Sequence, residues 1–269
     1  MGHIRLGAIP KTRKWQTVVS LIASSATKED GRAKMLADNV QEIANQALES
    51  AQKGLIRVNN DVGVRYTFYL LTQLVIATRS NDWKNSLEAI GINLSEDATI
   101  FELTAQVQNA IDDYLFEHSG VTDLSEIAQQ AAGEALATLA GSKQLTLFSS
   151  SRDELQSVIH RLSTKKGFSE LGQTFFGRFM ARFLNFYVSR VTAAHLDGEQ
   201  LQQIGDLSQF NKVLQSHCEQ SAQIVHDFCG EWYSKTEFQE GIDLENTSRF
   251  MAVALKKLQA ELKQQEAEL

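Results

Sequence analysis

Proline is nearly missing from this chain: Pro10 is the only one in 269 residues. Proline lacks a backbone donor and breaks helix interiors, so its scarcity suits long helices joined by short glycine or serine turns. Cysteine is almost as rare, with Cys218 and Cys229 alone. Two thiols are too few for a disulfide scaffold and fit a reducing cytoplasm. Long hydrophobic runs are lacking too. The greasiest stretches, YTFYLLTQLVIAT and FLNFYV, fall short of the roughly 20 residues that cross a bilayer, so no membrane association is expected. VVSLIA, residues 18–23, is too short for a secretory leader. Catalytic signatures are absent as well: there is no G-x-S-x-G, no G-x-x-x-x-G-K-[ST] and no G-x-G-x-x-G.

What is present favours helix. Apolar residues make up 43% of the chain and charged ones 22%, enough for one large or two small globular cores. Ala, Leu, Gln and Glu, all good helix formers, are abundant. The expected fold is all-α: about ten helices, possibly in two helical halves, behind an extended basic arm over residues 1–14. One half covers 15–140 and the other 151–269, with GSKQLTLFSS (141–150) breaking the helical pattern between them.

Within the first half, WQTVVSLIAS reads as a short helix. Residues 30–52 read as an amphipathic one, with Met35, Leu36, Val40, Ile43, Ala47 and Leu48 in one stripe. YTFYLLTQLVIATRS is apolar nearly all round and reads as a central buried helix, although its β-branched content leaves a strand open. Further helices are expected over WKNSLEAIG, 99–118 and 122–139. In the second half, Ser151 and Glu154 suit a capping box for a helix to about Leu162, and a long aromatic helix follows over 168–196. Another is expected over 208–229, stopped by Gly230. GEWYSKTEFQEGIDLEN then reads as irregular, before a last helix capped by Asn246 or Thr247.

Several constellations invite a chemical reading. Cys218, His226 and Cys229 have metal-ligand chemistry. On one straight helix, however, eleven residues separate the thiols by about 16 Å, too far for one zinc ion, so no metal and no cofactor is expected. His226-Asp227 echoes the helical metal-dependent phosphohydrolases, with His195 or His217 and Asp243 as the further ligands that such a site needs. The plain alternative is a pair on a helix surface. Asp82-Trp83-Lys84 and Glu261-Leu262-Lys263 carry the acid-x-Lys end of a nuclease motif without its strand or upstream acid.

TFFGRFMARFLNFYVSR gathers Phe175, Phe176, Phe179, Phe183 and Phe186 on one helical face, and Arg178, Arg182 and Ser189 on another. It reads either as a core helix whose arginines pair with acids elsewhere, or as a stripe for phosphate, nucleic acid or an acidic partner. GEWYSK places Trp232 and Tyr233 on a loop, where they either pin the loop to the body or serve as candidate partner anchors.

Charge is unevenly spread. The net charge is −7, yet residues 1–28 hold Arg5, Lys11, Arg13, Lys14 and Lys28 and no acid, while the remainder carries 21 basic and 33 acidic residues. An acidic body repels nucleic acid, which leaves Lys11, Arg13, Lys14, Arg178 and Arg182 as the only plausible contacts to it. Gly2, His3, Ile4, Arg5 and Leu6 open an arm that Gly7 and Pro10 keep from continuing as helix. Its apolar residues suit docking into a protein partner or packing along the chain's own helices. Gly2 also stands where a myristoylated glycine would, but Leu6 replaces the Ser or Thr of that motif.

MGHIRLG with PKTRKW, FYLLTQLVIATR, FCGEWYSKTEF and FMAVALKKLQAEL together resemble an uncharacterised bacterial protein group. WKNSLEAIGINL followed by TDLSEIAQQAAGEALATL resembles part of QatB, a subunit of a four-gene bacterial antiphage system. The resemblance implies a non-enzymatic subunit of a defence operon, working in the cytoplasm beside an ATPase and nucleic-acid enzymes. QatB-like proteins also start Met-Gly and accompany a protein similar to a deazaguanine-synthesis enzyme, which implies modification at Gly2. His3 and Ile4 depart from the small polar residues that usually follow that glycine.

Overall fold

The computed structural model describes residues 54, 55, 57–118, 120–141, 152–195, 215, 218, 219 and 221–267. The arm, the two expected helices before residue 53 and the 142–150 break lie outside the described residues. Among those described there are eight helices and no strand: α1 Val62–Ala77, α2 Trp83–Glu88, α3 Ile100–His118, α4 Asp123–Gly141, α5 Arg152–Leu162, α6 Lys165–His195, α7 Gln223–Gln239 and α8 Leu244–Ala267. No described helix is long and apolar enough to cross a membrane.

α1 is the central helix. Asp61, in extended conformation, caps it by accepting from the Val64 amide at 3.0 Å. Its β-branched residues do not divert it to strand because the threonines bond within the helix. Thr67 and Thr72 donate to the carbonyls of Gly63 and Phe68, each at 2.8 Å, which removes the cost of burying their hydroxyls. Phe68 is fully buried and meets Phe168, Phe175 and Phe176 of α6 and Phe250 of α8 at centroid distances of 5.3–6.0 Å. Gly63 lets α4 approach closely; a Cβ there would lie 2.3 Å from Ser125 Cβ.

The turn that closes α2 includes Gly91, whose φ of 82° is the left-handed geometry that glycine supplies just past a helix terminus. α3 buries Ile100, Leu103, Val107, Ile111 and Leu115 at spacings of three and four. Thr122 and Ser125 cap α4 reciprocally: each backbone amide donates to the other's hydroxyl, at 2.8 and 3.0 Å. The alanines of α4, Ala128, Ala131, Ala132 and Ala135, are wholly buried, and α4 packs on both α6 and α1. One continuous apolar cluster joins residues before 141 to residues after 151.

α7 corrects the sequence reading. Gly230 does not stop a helix; α7 runs from Gln223 through it to Gln239, and the stretch expected to be irregular is mostly helical. The glycine serves packing instead. A Cβ on Gly230 would meet Ser169 Oγ at 2.2 Å and the Lys165 carbonyl at 2.6 Å, so it marks the place where α7 crosses α6 backbone to backbone. Gly172 repeats this one turn along, against Cys229. The actual turn comes at Gly241, with φ of 74°. α8 is capped by Asp243 and not by Asn246 or Thr247. The Asn246 amide donates to Asp243 Oδ1 at 2.7 Å, and the Asp243 amide donates back to Asn246 Oδ1 at 3.1 Å.

Candidate functional site

Arg178 and Arg182 stand one turn apart on α6, as their spacing requires, but each is directed to a carboxylate of this same chain. Arg182 forks onto Glu134 of α4, Nε to Oε2 at 3.1 Å and Nη2 to Oε1 at 2.6 Å, and its Nη1 donates to Gln130. Arg178 Nη2 lies 3.3 Å from Glu219 Oε1, and Glu219 also accepts from Gln215 at 3.1 Å. The arginines therefore act as struts between helices. Phe175, Phe176, Phe179 and Phe183 are buried beside them, with Phe186 packed at the edge of the core.

Trp232 and Tyr233 are on α7 and not on a loop, and the helix turns both rings inward. Tyr233 is fully buried, stacked on Phe168 at 4.0 Å, with the Arg79 guanidinium carbon 5.3 Å from its ring centroid. Burial raises its hydroxyl pKa well above the usual tyrosine range, against the opposing charge of Arg79. Trp232 is half-buried, stacked on Phe250 at 4.3 Å. Tyr233 thus has no surface to offer a partner. The other expected contacts, Gly2, His3, Ile4, Arg5, Leu6, Lys11, Arg13 and Lys14, lie outside the described residues.

Cys218 and Cys229 are free and buried, and they do not share one straight helix, because a turn at Ala222 precedes α7. Burial raises both thiol pKa values, with Glu219 adding to the shift at Cys218. Among the described residues no group of three or more His, Cys, Asp and Glu is placed to hold a metal ion. His226 Nδ1 lies 2.6 Å from Asp227 Oδ1, and that carboxylate is 92% exposed, so the dipeptide is a helix-surface pair. Asp243 is engaged as the cap of α8, and Lys84 of the acid-x-Lys match faces Glu96 at 3.7 Å.

The most exposed large apolar side chains among the described residues are two phenylalanines. Phe116 of α3 is 90% exposed, Phe238 of α7 is 91% exposed, and Phe101 of α3 is 53% exposed. Phe101, Ala105, Asn109, Asp112 and Phe116 recur at spacings of four, four, three and four and form the solvent face of α3. Beside it, Tyr66, Tyr114 and His118 pile face to face, at centroid distances of 3.5 and 4.0 Å. Burial, followed by the neighbouring Tyr69 and Tyr114, pushes the Tyr66 hydroxyl up to about 12. Residues 85–142, which include all of α3 and α4, contain ten acids and no Lys or Arg. The exposed phenylalanines escaped the sequence reading because phenylalanine is ordinarily counted as core. The available signal was that Phe101 and Phe116 fall off the Leu103–Val107–Ile111–Leu115 stripe.

No protein-family model, no curated protein and no solved structure matches the chain.

Proposed function

We propose that the chain is a non-catalytic interaction or assembly subunit of a multi-gene bacterial antiphage defence complex. It works in the cytoplasm beside a product of the same operon, an ATPase or a nuclease. The observation that carries the interaction part is the near-complete exposure of Phe116 and Phe238 on two separate helices. Burying one phenylalanine is worth about 1.5–3 kcal/mol, and aromatic anchors of this kind concentrate the binding energy of protein interfaces. The groups that would suggest chemistry are engaged within the chain: Arg178 and Arg182 on carboxylates, Asp243 as a cap, both thiols in the core. The defence setting comes from the likeness of the quoted segments to QatB, and contact with nucleic acid is indirect, through the partner.

The test is co-expression of the tagged full chain with the products of the genes flanking its own. The wild type should retain an ATPase or nuclease subunit. Phe238→Ser should release it without lowering the melting temperature. Retention by this variant at the wild-type level refutes the reading. Hydrolysis of nucleotides or DNA by the purified chain with a divalent metal, abolished by His226→Ala, would put the phosphohydrolase reading in its place.

A further inference from the structure

Two parts of the chain are opposite in charge and matched in apolar content. Residues 1–28 hold five Lys and Arg and no acid; residues 85–142 hold ten acids and no Lys or Arg. Some of those acids face groups of the body itself: Glu134 faces Arg182, Glu96 faces Lys84, Glu102 accepts from Ser95 and Asp112 accepts from Gln129. Asp113 and Glu117 stand exposed within one turn of the exposed Phe116, and Val121, 55% exposed, follows at the next corner. In the arm, Ile4, Leu6 and Ile9 alternate with Arg5 and precede Lys11, Arg13 and Lys14. An extended segment of this composition presents apolar side chains to Phe116 and Val121 and cations to the carboxylates around them.

We propose that residues 1–14 of one copy dock on the solvent face of α3 in a second copy, with Phe116 as the apolar anchor and Asp113 and Glu117 receiving the arm's cations. In a closed pair each copy gives one arm and one face, so every contact is made twice. The arm's cations also offset the repulsion between two acidic bodies. This rests on reading the chain as an interaction subunit but names a different partner, a second copy. Self-association and retention of a foreign subunit are separate readouts, so either can fail alone.

The test uses the full chain in sedimentation or light-scattering measurements, at about 0.15 M and about 1 M salt. Asp113→Lys with Glu117→Lys reverses the face, and Lys11→Glu, Arg13→Glu and Lys14→Glu together reverse the arm, in which Arg5 alone stays basic. Each reversed protein should self-associate about tenfold more weakly or less well still, since attractive exposed pairs become repulsive. Wild-type association should weaken in high salt. Mixed one to one, the two reversed proteins should associate again, because each arm then meets a face of opposite sign. Phe116→Ser, which changes no charge, should weaken association at both salt concentrations. A wild type that stays monomeric at about 100 µM, where even a weak dimer is populated, overturns the proposal. So does a dimer indifferent to both reversals, or a mixture that fails to associate.

Discussion

Gly172→Ala tests the closest approach of α6 and α7. A Cβ at position 172 would lie 2.3 Å from Cys229 Sγ and 3.2 Å from Cys229 Cβ. Overpacking of this kind costs about 1–3 kcal/mol, and alanine returns about 1 kcal/mol of helix propensity over glycine, so the net loss is about 0–2 kcal/mol. Cys229→Ala alone empties the space of one buried sulfur, at about 1 kcal/mol. The two changes compensate when combined, because the new methyl occupies the room the sulfur vacated. Only the 3.2 Å contact between the two Cβ atoms remains tight, and a shift of a few tenths of an ångström relieves it. The double variant should therefore lie within about 1 kcal/mol of wild type, a coupling of about 1–2 kcal/mol. The assay is urea and thermal unfolding of the four proteins, read at about 2–4 °C per kcal/mol for a chain near this size. Additivity of the two single changes to within about 0.5 kcal/mol would mean that positions 172 and 229 do not touch, and the α6–α7 crossing would be wrong.

Tyr66→Phe should flatten the loss of stability at high pH. The folded hydroxyl is raised from 10.0 to about 12, so the unfolded chain loses its proton first; the contribution is complete below pH 10 and disappears as pH rises through about 12. Chemical unfolding across that window checks this, and an alkaline limb identical to wild type refutes it. Cys218 and Cys229 should be inert to a thiol reagent in the folded protein and react only on unfolding, since burial raises both thiols and shields them. Fast labelling of either one under native conditions would place it at the surface.

Helical periodicity made most of the described fold legible before any coordinates. α1, α3, α4 and α6 fall where apolar spacing puts them, because each buries one stripe or, for α1, nearly its whole circumference. Gly230 was misread because a glycine after a long apolar run serves equally as a terminator or as a crossing point. The choice lies in Ser169 and Lys165, some sixty residues earlier in the chain. The loop placement of Trp232 and Tyr233 failed with it: once α7 continues through Gly230, its pitch turns Tyr233 onto Phe168. For Arg178 and Arg182 the spacing gave the correct flank but not the counter-charges, since Glu219 and Glu134 belong to other parts of the chain. The solvent face of α3 was hidden for the opposite reason, because nothing in a phenylalanine's identity announces that its helix leaves it uncovered.

The cover over α1 is made late. Phe68 stacks on Phe250, and Gln73 Nε2 donates to the Ile242 carbonyl at 2.7 Å, across a sequence separation of 169 residues. On a ribosome adding about 5–20 residues per second, that separation corresponds to roughly 10–30 s between the two partners leaving the peptidyl-transferase centre. For that interval the most apolar helix of the described body lacks the aromatic lid that α8 supplies. Phe68 then waits beside α6 residues that are themselves emerging. The nascent chain therefore presents its greatest hazard of misassociation just before synthesis ends, and slower translation over residues 195–250 would lengthen that exposure without altering the finished protein.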